Sequence, residues 1–272
     1  MTVRHQRASG AIDITFAAPN GATVLRNLFQ SSPLRVLFPT AELGTPIMGA
    51  LVNTAGGLAG GDELQIQARV GEGGAALLCT PAAEKLYRSL GPETRIGTTL
   101  HVEPGAVLEW LPQETILFDG ARLRRRLDVH LAPDARLLAA EMLVFGRAAR
   151  GERFQHGLLH DSWRLRVGGG LRWADALRLD APEEGLTDRF GFDGAGSFAT
   201  LLYAGANAGA HLPLLRELAG PLGAATLPRD GVALLRWLGP AVPVRAALAS
   251  AIPALRAALF GLPPVLPRLW TT

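Results

Sequence analysis

A short pattern returns three times in the first half of the chain. Gly73-Gly74-Ala75-Ala76-Leu77 is echoed by Pro104-Gly105-Ala106-Val107-Leu108 and again by Pro133-Asp134-Ala135-Arg136-Leu137, at spacings of 31 and 29 residues. Each copy follows an alternating segment and precedes an apolar run: LLCTP, EWLP and LAAEMLVF. Alternation with period two marks a strand with one buried face, and a Gly- or Pro-containing pair between two such runs marks a turn. Each unit therefore reads strand, two-residue turn, strand. A unit this small cannot bury its own apolar face and has to stack on its neighbours. The pattern predicts a mainly β fold of stacked strands, built as solenoid-like coils or as layered sheets.

The flanking segments agree. Residues 11–16 and 22–30 read as strands around the turn Pro19-Asn20-Gly21. Pro33, Pro39 and Pro46 punctuate a loop-rich stretch, and Ile47 to Val52 is a short apolar strand. Trp163, Leu165 and Val167 open a hairpin over 161–180 that turns at Gly168-Gly169-Gly170. Residues 183–200 read as loop, and 200–206 and 232–238 as strands. Pro243 suits the first turn of a helix. The helical pattern that follows, over 243–261, is expected to kink or break at Pro253 and to stop at Gly261-Leu262-Pro263. No linker divides residues 1–272, so one domain is expected, β-rich over 10–240 with a small C-terminal helical part.

At 48% hydrophobic and 19% charged, the chain is far from a disordered composition and short of surface charge, which points to apolar surface held for partners. The net charge of +3 over 272 residues is too weak to argue for nucleic acid, and Lys85 is the only lysine. Cys79 stands alone, which rules out an internal disulfide or a CxxC site and fits a reducing cytoplasm. The segment MTVRHQRASGAIDITF has no apolar core of a signal peptide, and no run of about 18 apolar residues predicts a membrane span. A cytoplasmic location is expected.

Four glycines, Gly56, Gly57, Gly60 and Gly61, precede Asp62 and an alternating strand, Leu64, Ile66, Ala68 and Val70. A phosphate-binding glycine loop follows a strand and opens a helix. Here the loop leads into a strand, so the glycines are read as a structural loop that serves backbone shape and close approach. Glu84, Glu109, Glu114 and Glu141 stand inside apolar runs. A carboxylate buried without a partner costs several kcal/mol or changes its pKa. Either each points to solvent from its strand, as simple alternation allows for Glu109, or together they line a polar interior suited to a cation. In ARLRRRLDVHL, Leu123, Leu127, Val129 and Leu131 share one face, and Arg122, Arg124, Arg126, Asp128 and His130 the other. Arg125 falls on the apolar face and needs an acid there, which Glu109, Glu114 or Glu141 can supply. His156 and His160 are spaced as a metal pair but lack the HExxH glutamate. No GxSxG or Ser-His-Asp context occurs.

The loop LVNTAGGLAGGD, then TPAAEKLYRS, then LEWLPQETILFDGARLRRRLDVHL, together with FGRAARGERF and the terminal PRLW, resembles the UreD (UreH) family of urease accessory proteins. The likeness runs in order from about residue 10 to the C-terminus. The loop departs from the family's usual Asn-Pro-Gly-Gly opening, with Asn53-Thr54-Ala55-Gly56-Gly57 in its place. The resemblance implies a stacked β structure with a small helical part, and a scaffold and metallochaperone that is not an enzyme. It implies as partners UreF, the GTPase UreG and the urease apoenzyme, with no nucleic acid and no membrane. It implies no tightly bound cofactor, but nickel in transit through an internal tunnel to the urease active site. Carboxylates and water hold Ni(II) more weakly than thiolates do, which suits a conduit. On this reading Asp62, Glu84, Glu109, Glu114, Asp119 and Glu141 are the expected passage residues. The C-terminal segment from Pro243 is the expected UreF contact, its apolar face needing a partner unless it packs on its own domain.

Two other readings of the residues remain. One is a β-solenoid enzyme acting on polysaccharide, a class that usually shows aromatic platforms and a secretion signal; this chain has two tyrosines. The other is a metal-independent β-fold binding module.

Overall fold

A computed structural model describes residues 7–40 and 42–271. The first six residues of the segment read for an export signal, and both ends of the expected 1–272 domain, lie outside the described residues. In chain order the strands are β1 (Ser9–Ala17), β2 (Val24–Gln30), β3 (Leu34–Leu37), β4 (Ile47–Asn53), β5 (Glu63–Val70) and β6 (Ala75–Cys79). Then come β7 (Glu84–Leu86), β8 (Thr94–Val102), β9 (Val107–Leu111), β10 (Thr115–Leu117), β11 (Arg122–Leu131), β12 (Arg136–Phe145), β13 (Leu158–Val167) and β14 (Gly170–Leu179). A short helix α1 (Pro182–Thr187) leads to β15 (Ser197–Ala204), α2 (Leu212–Ala219), β16 (Gly223–Arg229), β17 (Val232–Gly239) and the long helix α3 (Ala241–Phe260).

The three repeats are coils, not hairpins. At each turn the chain leaves one sheet and enters the other, so β5, β8 and β11 pair in parallel in a seven-stranded sheet while β6, β9 and β12 pair in parallel in a ten-stranded one. Successive turns are tied to each other: Gly73 N–H donates to Pro104 O at 2.9 Å, and Val107 N–H to Gly74 O at 2.8 Å. Parallel strands need a long crossover, and here the crossover is the coil's opposite side. The first sheet runs β14-β13-β11-β8-β5-β1-β2; the main path of the second runs β16-β17-β15-β12-β9-β6-β4-β3. A third, narrower side is made by β7 and β10, which pair in parallel with each other, β10 also pairing with the end of β12. The glycine loop joins that side, Leu58 bridging to Leu86.

Burial follows from these layers. β5 alternates exposed and buried at every residue, because one face meets water and the other, with Leu64, Ile66, Ala68 and Val70, meets the second sheet. β12 is buried along all but its first residue, because its far face is covered as well. That cover is α2 and α3, whose Leu215, Val244, Leu248, Ile252, Leu255 and Leu259 pack on Leu138, Leu201, Tyr203, Leu235 and Trp237.

Three expectations change. Helix α3 runs unbroken through Pro253, because burial along its length outweighs the one hydrogen bond proline removes. Its apolar face is satisfied within the chain, by the ten-stranded sheet. The stretch read as loop, 183–200, begins within α1 and holds the start of β15 at Ser197; α2 and β16, absent from the sequence reading, complete that region. Among the described residues α3 is the one helix long and apolar enough to cross a bilayer by length and composition. Here it lies against the sheet and carries Arg245 and Arg256, both ion-paired.

Candidate functional site

The glycine loop is built for close approach. A Cβ on Gly60 would stand 2.1 Å from Ser89 Oγ and 2.6 Å from Pro92 O, and one on Gly57 would stand 2.6 Å from the Tyr87 ring. Tyr87 fixes the loop in return, its backbone N–H donating to Leu58 O and its hydroxyl to Gly56 O. Gly56 and Gly61 take positive φ, 73° and 94°. Asp62 holds the far end by accepting from Ala8 N–H at 2.9 Å and Ala59 N–H at 2.8 Å.

Between the two sheets, at the corner where the β7–β10 side joins them, lies a cavity of about 80 Å³. Its polar lining includes Asn53, Glu84, Gln113, Thr115, Arg125 and Glu141, and its apolar walls include Leu34, Leu51, Leu64, Ile66 and Trp110. That is room for a few waters. Arg125 reaches it because it shares the inward face of β11 with Leu123 and Leu127. Its guanidinium meets Asp161 with Nε–Oδ1 at 2.9 Å and Nη2–Oδ2 at 2.7 Å, Thr115 Oγ1 at 3.2 Å, and Glu141 Oε2 at 3.0 Å. Glu141 accepts from Trp110 Nε1 through its other oxygen at 3.2 Å, while Oε2 faces Arg125 without a well-directed hydrogen bond. Two carboxylates thus share one guanidinium. Burial, only partly offset by Arg125, pushes the Glu141 carboxyl up to about 7. Burial works against the charge on Arg125, but Asp161 and Glu141 more than restore it and hold its pKa above the usual value. Glu84, also in the lining, accepts from Asn53 Nδ2 at 3.0 and 3.1 Å, and burial raises its carboxyl too.

Of the six carboxylates named from sequence, only Glu84 and Glu141 line this cavity. Glu109 does not point to solvent: it is wholly buried on the helix side of β9, paired with Arg256 Nε at 2.7 Å. Arg256 also donates to Val265 O at 2.6 Å. Glu114 pairs with Arg245 at 3.1 Å beside Gln113 and the Trp270 carbonyl. Asp119 sits in a loop, where hydrogen bonds from His156 and Gln155 overcome burial and hold its carboxyl below the usual range. Of the three acids offered to Arg125, Glu141 is its partner and Glu109 and Glu114 are not. The stronger partner, Asp161, stands in register with Arg125 on β13 and was missed. His156 and His160 do not pair: His156 faces Asp119, and His160 faces Arg124. Cys79 is buried, which pushes its thiol up to about 12, so it offers no thiolate. Among the described residues no three His, Cys, Asp or Glu side chains are grouped to hold a metal ion.

Comparison with known proteins adds to this geometry. The family described as UreD urease accessory protein matches residues 8–271. A urease accessory protein UreD of Granulibacter bethesdensis is 48% identical over 240 residues, covering 86% of this chain and 99% of that protein. One of Methylobacterium sp. (strain 4-46) is 44% identical over 279 residues, covering 99% and 96%. One of Magnetococcus marinus is 42% identical over 274 residues, covering 97% and 94%. With the family pattern matched along nearly its whole length, this chain belongs to the UreD family of urease accessory proteins.

Proposed function

We propose that this chain acts in the cytoplasm as a scaffold and metallochaperone in urease maturation, docking on the urease apoenzyme with UreF and UreG and conveying nickel toward the urease active site without catalysing a reaction itself. The observation that carries the nickel part of this reading is the cavity that Glu84 and Glu141 both line. Burial raises both carboxyls, Glu141 to about 7, so a cation that binds there displaces a proton. Oxygen donors without a thiolate give weak, reversible binding, which cargo in transit requires. Arg125 stays locked to Asp161 and keeps the interior from accumulating negative charge.

The test is a tagged copy expressed with the urease subunits, UreF and UreG. The double variant Glu84→Gln/Glu141→Gln should purify with the same partners and leave urease with several-fold less nickel. Normal nickel content in that complex would exclude the two residues, and absence of any partner with the unaltered chain would exclude the scaffold role.

A further inference from the structure

Arg125 meets two buried carboxylates and serves them unequally. Asp161 takes the fork: Nε and Nη2 each donate to one of its oxygens, at 2.9 and 2.7 Å. Bidentate pairing of this kind is the strongest hold a guanidinium has on a carboxylate. Nη1 donates to Thr115 Oγ1 at 3.2 Å, so all three nitrogens are engaged before Glu141 is counted. Glu141 is left with Nη2 at 3.0 Å, off the direction of a hydrogen bond. Trp110 and Trp163 steady the carboxylate, yet its Oε2 stays buried without a directed donor. A buried polar atom in that state is an exception that calls for a role.

The charges supply one. The charged side chains in the cavity lining are Glu84, Arg125 and Glu141. Asp161 is outside the lining and reaches it through Arg125. Lys85 and Asp62 act on Glu84 from outside the lining with opposite signs. While Asp161 holds Arg125, two carboxylates of the lining stand without a matching charge, the balance that a divalent cation restores. A guanidinium closed on Glu141 instead would leave only one.

We propose that Asp161 is a positioning residue: it grips Arg125, keeps the guanidinium from closing on Glu141, and so leaves that carboxylate open to a divalent cation in the cavity. β13 brings it there, in register with Arg125 of β11 and on the same buried face of the sheet. The inference rests on the reading of the cavity as a nickel site and adds the residue that sets its affinity.

The experiment measures Ni(II) binding to the purified full chain by equilibrium dialysis at one pH, with Glu84→Gln/Glu141→Gln marking the background from other sites. Asp161→Asn keeps the shape but not the charge, so Arg125 should turn to Glu141 and binding should weaken at least about tenfold, as redirecting a close charge pair does. Arg125→Met/Asp161→Asn removes the cation together with its holder, and a buried pair replaced as a unit is tolerated. This double variant should bind Ni(II) at least as tightly as the unaltered chain. A merely structural role for Asp161 predicts the reverse, because the double variant loses more native contacts than the single one. Unchanged binding in Asp161→Asn overturns the proposal, and so does a double variant that binds no better than Asp161→Asn. Should Asp161→Asn not fold, a double variant that binds more weakly than the unaltered chain overturns it. If the unaltered chain binds no more Ni(II) than Glu84→Gln/Glu141→Gln, it is the reading of the cavity that fails, and this inference with it.

Discussion

Substituting Arg256 by Met tests the logic of the helix side directly. Arg256 is 1% exposed and Glu109 fully buried, and two of the arginine's nitrogens lie on the carboxylate at 2.7 and 3.3 Å. Methionine fills much of the same volume but leaves Glu109 as an unpaired buried acid, a change that costs about 3–5 kcal/mol. The Val265 carbonyl loses its donor too, adding about 1 kcal/mol. The pH dependence carries the sharper signature. Burial already raises the Glu109 carboxyl, and without Arg256 it rises further. The variant's folded state then keeps a proton that the unfolded chain releases above about pH 4.5. Its deficit should therefore be small in acid and grow as pH increases toward 8. Urea unfolding of the full chain, followed by tryptophan fluorescence at pH 5 and pH 8, reads both effects. Arg256→Met/Glu109→Leu removes the charge with its partner and should recover most of the loss, with no pH slope from this site. A single variant that costs under about 1 kcal/mol at pH 8, or a double variant no more stable than the single, would refute the reasoning.

Two further outcomes are expected. Gly60→Ala places a methyl 2.1 Å from Ser89 Oγ and 2.6 Å from the Pro92 carbonyl, so it should destabilise by roughly 1–3 kcal/mol in thermal unfolding, with Gly56→Ala, whose Cβ meets open space but whose φ is 73°, costing less. Because the Glu141 carboxyl is raised in the folded state to about 7, the unaltered chain should lose stability as pH climbs from about 4.5 to 7, and Glu141→Gln should flatten that slope in pH-resolved denaturation.

What could be read from the sequence was whatever repeats locally. The turns at Gly73, Pro104 and Pro133 each occupy the same place on successive coils, so their recurrence gave the stack. Arg125 was conspicuous because period two puts it among leucines. Glu141 was among the three acids offered to it, but the stronger partner was not, because the register that sets Asp161 opposite it joins positions 36 residues apart, and strand spacing in the chain does not encode register. Glu109 is the clearer case. Alternation offered it a solvent face, but that face is covered by a helix 147 positions later, and only the tertiary fold supplies Arg256. Pro253 misled in the opposite direction, since a local rule about helix breaking was outweighed by packing along five turns.

The distance between Glu109 and its partner also sets an order of events during synthesis. Each coil finds the next after about thirty more residues, so the stack can wind as the chain leaves the ribosome. The covering helix comes last. Until Arg256 emerges, the nascent protein presents an open apolar sheet, with Leu138, Leu201 and Trp237 bare and an acid without a counter-charge beside Cys79. Even then closure waits for Trp270, whose indole reaches back to the Leu111 carbonyl at 2.9 Å. A ribosome stalled before the final thirty residues would therefore hold a wound but unsealed coil, the form most prone to stick to its neighbours.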